Sequence, residues 1–256
     1  MYQILILSIA LFFSGCSEYK KENTFEKVKS FSVNKDFEPS GITFCKNTLF
    51  SVSDEGTLMS INKNNVIKYY KIKDEGDYEG ITCHKDKLYL AEEGKDNIIE
   101  INLQGKILNE FNIDRKYNGE KVISKKGNGL ESLAFFKEDI DNLYFFTSNQ
   151  SNEFSGNDKS AIMVIKINKN SKKAKINKYF PLKIKDISGI LYQDGLVYFI
   201  SDKKDKLYLA DENLNIFKEY NLFGDAQEGI FIKDNNIYIA DDEGFILKAK
   251  IKKSLY

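Results

Sequence analysis

Residues 78–92 read Tyr-Glu-Gly-Ile-Thr-Cys-His-Lys-Asp-Lys-Leu-Tyr-Leu-Ala-Glu, and this stretch decides the fold because it recurs. Its first phrase, Tyr78-Glu79-Gly80-Ile81-Thr82, returns as Pro39-Ser40-Gly41-Ile42-Thr43, Leu130-Glu131-Ser132-Leu133-Ala134, Ile187-Ser188-Gly189-Ile190-Leu191 and Gln227-Glu228-Gly229-Ile230-Phe231. Its second phrase, Leu88-Tyr89-Leu90-Ala91-Glu92, returns at 49–54, 143–148, 197–202 and 237–241. Polar pairs such as Lys46-Asn47, Lys85-Asp86 and Asp234-Asn235 separate the two phrases, as in tight hairpins. Two further strand-like runs follow, 57–61 and 66–72 in the first unit and 97–102 and 106–113 in the second. β-Branched and aromatic residues dominate them, and no segment carries a 3.6-residue period.

The spacing of the phrases selects an architecture. Gly41 to Gly80 is 39 residues and Gly189 to Gly229 is 40, while Gly80 to Ser132 is 52 and Ser132 to Gly189 is 57. A four-stranded unit of about 40 residues is the size of a propeller blade. After Glu228 only 28 residues remain, enough for three strands. The run 25–33, ahead of the first unit, supplies the fourth and removes the open edge. The sequence therefore predicts an all-β fold, a five-bladed β-propeller over 25–256 closed by its N-terminal strand; the competing architecture is an open β-sandwich.

In a propeller the first strand of each unit lines the axis, and the antiparallel second strand ends where the first begins. Glu79, Glu131 and Glu228 then share one face with Asp54, Glu92, Asp202 and Asp241, with Ser40 and Ser188 in the matching places. Insertions at 114–129 and 149–159 open on the same face. At an effective dielectric near 20, carboxylates ~5 Å apart repel by about 3 kcal/mol, so three such pairs cost roughly 10 kcal/mol. A bound cation, protonation, or pairing with lysines and backbone donors relieves that. An oxygen-only donor set suits Ca²⁺ or Mg²⁺, so Glu79, Glu131 and Glu228 are the expected metal ligands, with Ca²⁺ as cofactor; the other possibility is that these glutamates accept backbone N–H groups and lock neighbouring blades. Asp54, Glu92, Asp202 and Asp241 are further candidate acids of the ligand face. The acidic-glycine runs at 54–56, 92–94 and 242–244 lack the alternating EF-hand pattern and read as turns, with some side chains facing the site.

Composition excludes several classes. The chain has 256 residues, with 38 Lys plus Arg against 38 Asp plus Glu, which argues against nucleic-acid binding. One histidine, His84, excludes multi-His zinc sites; it sits at the rim opposite the glutamates and reads as a solvated turn residue. Cys45 and Cys83 are one position out of phase in corresponding strands, so they are expected to point to opposite faces, as packing residues without a disulfide. No serine sits in a G-x-S-x-G elbow, and no nucleophile or acid–base pair can be named.

Residues 4–13 form an apolar run too short to span a bilayer, as in a secretory signal. Phe13-Ser14-Gly15-Cys16 follows, a small pair before a cysteine that looks like a bacterial lipobox. The expected organisation is a lipoprotein signal peptide at 1–15, lipidation at Cys16, a polar tether at 16–24 and the propeller at 25–256, held to the outer side of a bacterial membrane. The alternative is a plain signal peptide with an incidental cysteine. A monomer is expected.

The repeated E-G-[IL] phrase at Glu79-Gly80-Ile81 and Glu228-Gly229-Ile230, its variant Glu131-Ser132-Leu133, and the second phrase behind a lipoprotein-type signal resemble the SdiA-regulated family of bacterial β-propellers, relatives of phytase-like and NHL-type propellers. The resemblance covers about 25–252 and implies an envelope-associated, calcium-binding propeller without a secure catalytic assignment. Phytase-like relatives imply carboxylates and Ca²⁺ acting on phosphate. Arg115 is the one arginine, so a bidentate phosphate clamp is poorly supplied. Two readings stay open: a binding module for a small-molecule or protein ligand, which is preferred, and a Ca²⁺-dependent phosphoesterase or lactonase-like hydrolase.

Overall fold

The structure is a computed structural model that describes residues 24–123, 129–149, 160–252 and 255. The signal-like segment, Cys16 and the tether up to 23 lie outside the described residues, as do parts of both insertions. Among the described residues no helix is long and apolar enough to cross a membrane.

β-Strands build the molecule, in the order the repeats dictate. Strand β1 (Phe25–Ser32) precedes a meander of β2 (Gly41–Cys45), β3 (Thr48–Val52), β4 (Thr57–Ile61) and β5 (Ile67–Lys71). Next come β6 (Tyr78–His84), β7 (Lys87–Glu92), β8 (Asn97–Ile101) and β9 (Ile107–Asp114), then a small hairpin, β10 (Lys116–Tyr117) with β11 (Glu120–Lys121), in the first insertion. A third meander holds β12 (Ala134–Glu138), β13 (Asn142–Asn149), β14 (Ala161–Asn168) and β15 (Ala174–Pro181). It joins the second through a short parallel contact of β15 with β9, making one eight-stranded sheet. A fourth meander follows with β16 (Ile187–Gln193), β17 (Leu196–Ser201), β18 (Lys206–Ala210) and β19 (Ile216–Asn221). Finally β20 (Gln227–Lys233), β21 (Asn236–Asp241) and β22 (Phe245–Ile251) take β1 as their fourth strand, with Phe25 opposite Ile251 and Ser32 opposite Phe245. The closing role expected for the N-terminal strand is thus observed.

Local chemistry sets these hairpins. Lys46-Asn47, Lys85-Asp86 and Asp234-Asn235 hold positive φ at both positions, as Asp194-Gly195 does. That is the two-residue turn whose twist matches the strands it joins.

The first strands of the meanders touch in a cycle: β2 with β6, β6 with β12, β12 with β16, β16 with β20, and β20 with β2. Glycine makes this approach possible. A Cβ on Gly80 would lie 2.4 Å from the Leu133 backbone nitrogen, and one on Gly229 would lie 3.0 Å from Gly41 Cα. Ser132 takes the glycine position in the third unit and is buried, bonded to Ser148. Bonds between neighbouring units also run from Ser148 Oγ to the Ile187 carbonyl and from the Phe135 N–H to Thr82 Oγ1.

Apolar clusters fill the space between successive meanders. One packs Phe50, Val52 and Leu58 against Tyr78, Ile81 and Leu88; another packs Ile42, Leu49 and Met59 against Tyr238, Ala240 and Ile246, joining the last meander to the first. Each sheet therefore buries both faces, one against each neighbour.

This arrangement corrects the reading of the cysteines. Cys45 and Cys83 form a disulfide, with Cα atoms 5.6 Å apart. They do project from opposite faces of their own sheets. In adjacent sheets set side by side, however, the forward face of one meets the rear face of the next, so opposite parity brings the two together. His84 is corrected too: it stacks on Phe135 with ring centroids 3.7 Å apart, and its Nε2 lies 3.0 Å from Glu138 Oε2. Only 16% of its side chain is exposed, so it is not a solvated turn residue. Lys85 and Lys169 also pair with Glu138 and, together with His84, hold its carboxyl down to about 2.

Gly80→Ala forces a methyl group against backbone that cannot swing away. It should cost about 3 kcal/mol and lower Tm by roughly 10 °C in thermal unfolding. Gly195→Ala, in open space at φ +79°, should cost only about 1 kcal/mol.

Candidate functional site

The start of each first strand and the end of each second strand lie at the same end of the cycle. Glu79 and Glu228 line a narrow axial opening there with Gly41, Gly80, Gly189 and Gly229. Glu131, one residue before Ser132, is 5% exposed. The three glutamates expected at the axis are thus brought to one region. Burial, followed by repulsion from Asp77, Glu228 and Glu93, raises the Glu79 carboxyl well above its ordinary value. Burial, then Glu79, Glu93 and Glu228, does the same to Glu131. Glu228 is pushed up to about 8 by burial and by Asp186, Asp202 and Asp242, with Lys203 opposing.

Among the described residues, the group of acids drawn closely together differs from the expected trio. Carboxylate oxygens of Asp77, Glu79 and Glu93 lie within 4.8 Å of one another. Burial, then Glu93, raises the Asp77 carboxyl. Glu93 accepts the Gly129 N–H at 3.0 Å, which anchors the end of the first insertion to this group. Glu131 and Glu228 stand outside the triad but close enough to repel it.

The four further acids divide by strand parity. Gly41, Gly80, Gly189 and Gly229 pair with Val52, Ala91, Ile200 and Ala240. Two positions beyond these partners stand Asp54, Glu93, Asp202 and Asp242, and these join the axial field. Asp54 is raised by burial and then by Glu55 and Asp77, and Asp242 by burial and then by Glu38 and Asp54. One position beyond stand Glu92 and Asp241, which turn the other way. Glu92 is 1% exposed, pairs with Lys73 and Lys95, and accepts the Asn97 side-chain amide. Asp241 accepts the Asp225 and Glu243 N–H groups. Both are local structural acids rather than members of the face, because side chains alternate along a strand.

The sequence reading did not name Asp77 or Asp186, and it held Glu93 and Asp242 only within acidic-glycine turns some of whose side chains face the site. Two signals could have found them: acids recur three residues before the repeat glycine, as Glu38, Asp77 and Asp186, and the second acid of each strand-ending pair shares the partner parity of Asp54. Arg115 pairs with the buried Asp96 and takes no part in the axial group.

The fold and this end together define an all-β protein of propeller-like architecture with an acid-rich axial face. The chain belongs to the SdiA-regulated family, whose model matches residues 17–243. No curated protein sequence matches it. Among solved structures, Myxococcus xanthus glutaminyl cyclase is similar at 10% identity, with 88% of this chain and 95% of that one covered and a TM-score of 0.62. A provisionally assigned gluconolactonase is similar at 7% identity, with 88% and 92% covered and a TM-score of 0.55. Virginiamycin B lyase from Staphylococcus aureus shares 15% identity over 88% of this chain and 99% of that one, with a TM-score of 0.48.

The raised carboxyls fix the sign of a pH effect. Between the unfolded value near 4.5 and the folded value near 8, native Glu228 retains a proton that the unfolded chain has released. Stability therefore falls as pH rises through this window, by about 1.4 kcal/mol per pH unit for each retained proton. Calorimetry in chelator should show Tm dropping from pH 5 to 8 by roughly 3 °C per unit per retained proton, and Glu228→Gln should flatten the profile.

Proposed function

We propose that this chain is an exported, lipid-anchored five-bladed β-propeller whose acidic axial end holds a divalent cation, Ca²⁺ foremost, and serves as a binding module at the cell envelope. The observation that carries this reading is the Asp77, Glu79 and Glu93 group, gathered within 4.8 Å beside two further carboxyls that burial and mutual repulsion push upward. Buried acids that repel one another so strongly favour either protons or a cation, and an oxygen-only donor set fits Ca²⁺ or Mg²⁺. Ca²⁺ takes roughly six to eight oxygens, so three carboxylates leave it able to accept oxygen atoms of a small molecule or a protein. The cyclic contacts of the first strands support five blades. The Cys45–Cys83 disulfide supports export, since disulfides persist in oxidising compartments. Lipidation at Cys16 rests on the Ser14-Gly15-Cys16 pattern.

Titration calorimetry at pH 8 tests the cation site. Ca²⁺ should bind with measurable heat and raise Tm, and Asp77→Asn or Glu79→Gln should weaken binding about ten-fold or more. Wild-type protein that shows neither heat nor a thermal shift removes the site.

A Ca²⁺-dependent phosphoesterase or lactonase-like hydrolase is the second reading, and one observation favours it: a Glu228 carboxyl near 8 exchanges protons at neutral pH. It requires chelator-sensitive turnover of phosphate esters or lactones that Glu228→Gln lowers at least about a hundred-fold. Binding without turnover across such a panel leaves the module.

A further inference from the structure

Between the second and third meanders, at the end of the cycle away from the axial acids, lies a cavity of about 270 Å³. Its floor is apolar, made by Tyr89, Phe111, Leu143 and Ile167, all buried in the cluster that joins these two meanders. Its rim is charged. Lys85 comes from the β6–β7 turn, Lys87 from the start of β7, and Lys169 and Lys172 from the β14–β15 turn.

Positive charge exceeds negative charge in this wall. Glu138 alone serves Lys85, Lys169 and His84. Glu100 pairs with Lys87 and accepts the Asn109 side-chain amide at 2.8 Å. Lys172 donates to the Asn109 side-chain carbonyl, a neutral partner. Four lysines thus face two carboxylates, an excess of two charges with His84 neutral. The acids of the neighbouring turns are held by other partners: Asp86 by Lys46, Asp139 by Asn142 and Tyr144, and Asp141 by Asn170. An adjoining groove shares Lys172 and adds Lys166, Lys173 and Lys175 against Asp114.

A buried donor in this cavity stands unpaired. Tyr89 is 3% exposed, and its hydroxyl makes no hydrogen bond among the described residues. Burial, and then Glu100 and Glu138, push that hydroxyl far above its ordinary value, so it keeps its proton. Both carboxylates line the cavity, which puts the hydroxyl on the cavity side. A buried donor without an acceptor costs free energy that a ligand oxygen beside it recovers.

We infer that this cavity is a binding site for a small organic dianion, a molecule that carries two negative charges on phosphoryl or carboxylate oxygens. Those oxygens meet Lys169, Lys172 and the Tyr89 hydroxyl, and the apolar body rests on Phe111, Leu143 and Ile167. The excess of two charges sets the dianion, and the apolar floor sets the organic body. The volume, near the small end of ligand pockets at ~300 Å³, sets a small molecule. Lysines act as point charges rather than as a bidentate clamp, so the total charge of the headgroup matters more than its shape. The site is separate from the axial acids and stands whether or not a cation binds there.

The test titrates the full chain, in chelator at pH 8, with phenylphosphonate, phthalate and benzyl alcohol, read by calorimetry. Phenylphosphonate or phthalate should bind, and the tighter of the two assigns the headgroup; benzyl alcohol should not bind. Added salt should weaken binding by screening the rim. Tyr89→Phe should weaken it about ten-fold and leave Tm unchanged, because the hydroxyl has no bond to lose in the free protein. Lys172→Gln should weaken it about five-fold or more. Absence of binding by both dianions, binding of benzyl alcohol as tight as theirs, or binding that Tyr89→Phe and Lys172→Gln both leave unchanged overturns the proposal.

Discussion

Backbone meets backbone at the repeat glycines, and the remaining structure depends on that contact. Gly41, Gly80, Gly189 and Gly229 bring neighbouring first strands so close that a methyl group has no room at Gly80 or Gly229 and fits only tightly at Gly41 and Gly189. Close approach at the axis lets successive sheets splay outward, and the wedge between each pair fills with Ile, Leu, Val and aromatic side chains. Both faces of every sheet are consumed in this way, which is why the second strands read as near-continuous apolar runs such as Leu88-Tyr89-Leu90-Ala91.

The same contact creates the electrostatic problem at the acidic end. Residues adjacent to the glycines are carried inward with them, so Glu79, Glu131 and Glu228, far apart in sequence, end up repelling one another across the axis. Serine at the equivalent positions 40 and 188 spares the ring two more charges. What remains is still an unfavourable assembly of buried carboxyls, kept in place by packing elsewhere. Sites that cost stability in this way are where binding chemistry is usually found.

Much of the fold was legible in the sequence, because repetition speaks to architecture without any need for side-chain detail. The strand at 57–61 follows from the pattern of apolar residues between turn pairs, the run read as 97–102 ends one residue earlier at Ile101, and the N-terminal strand follows from counting strands. The candidate site was legible only in part. A phrase alignment places an acid at the end of a strand but does not say on which side of the ribbon it stands, and one residue of slip exchanges Glu92 for Glu93 and Asp241 for Asp242. The disulfide was hidden for a related reason. Parity within one sheet says that Cys45 and Cys83 diverge, whereas the meeting of two neighbouring sheets turns that divergence into contact. His84 was missed because its partners, Phe135 and Glu138, come from the next unit, 51 and 54 positions away.

The central claim is that the glycine contacts force distant carboxyl groups into one mutually repelling group, whose repulsion the proposed cation would relieve. Carbon-13 detection of glutamate side-chain carboxyls during a pH titration, with Glu131→Gln and Glu228→Gln for assignment, tests it most directly. The account predicts that in metal-free protein the Glu131 and Glu228 signals titrate far above the ordinary glutamate range, Glu228 near 8, and that added Ca²⁺ shifts them downward. Ordinary midpoints near 4.5 for both residues, unmoved by Ca²⁺, would contradict it.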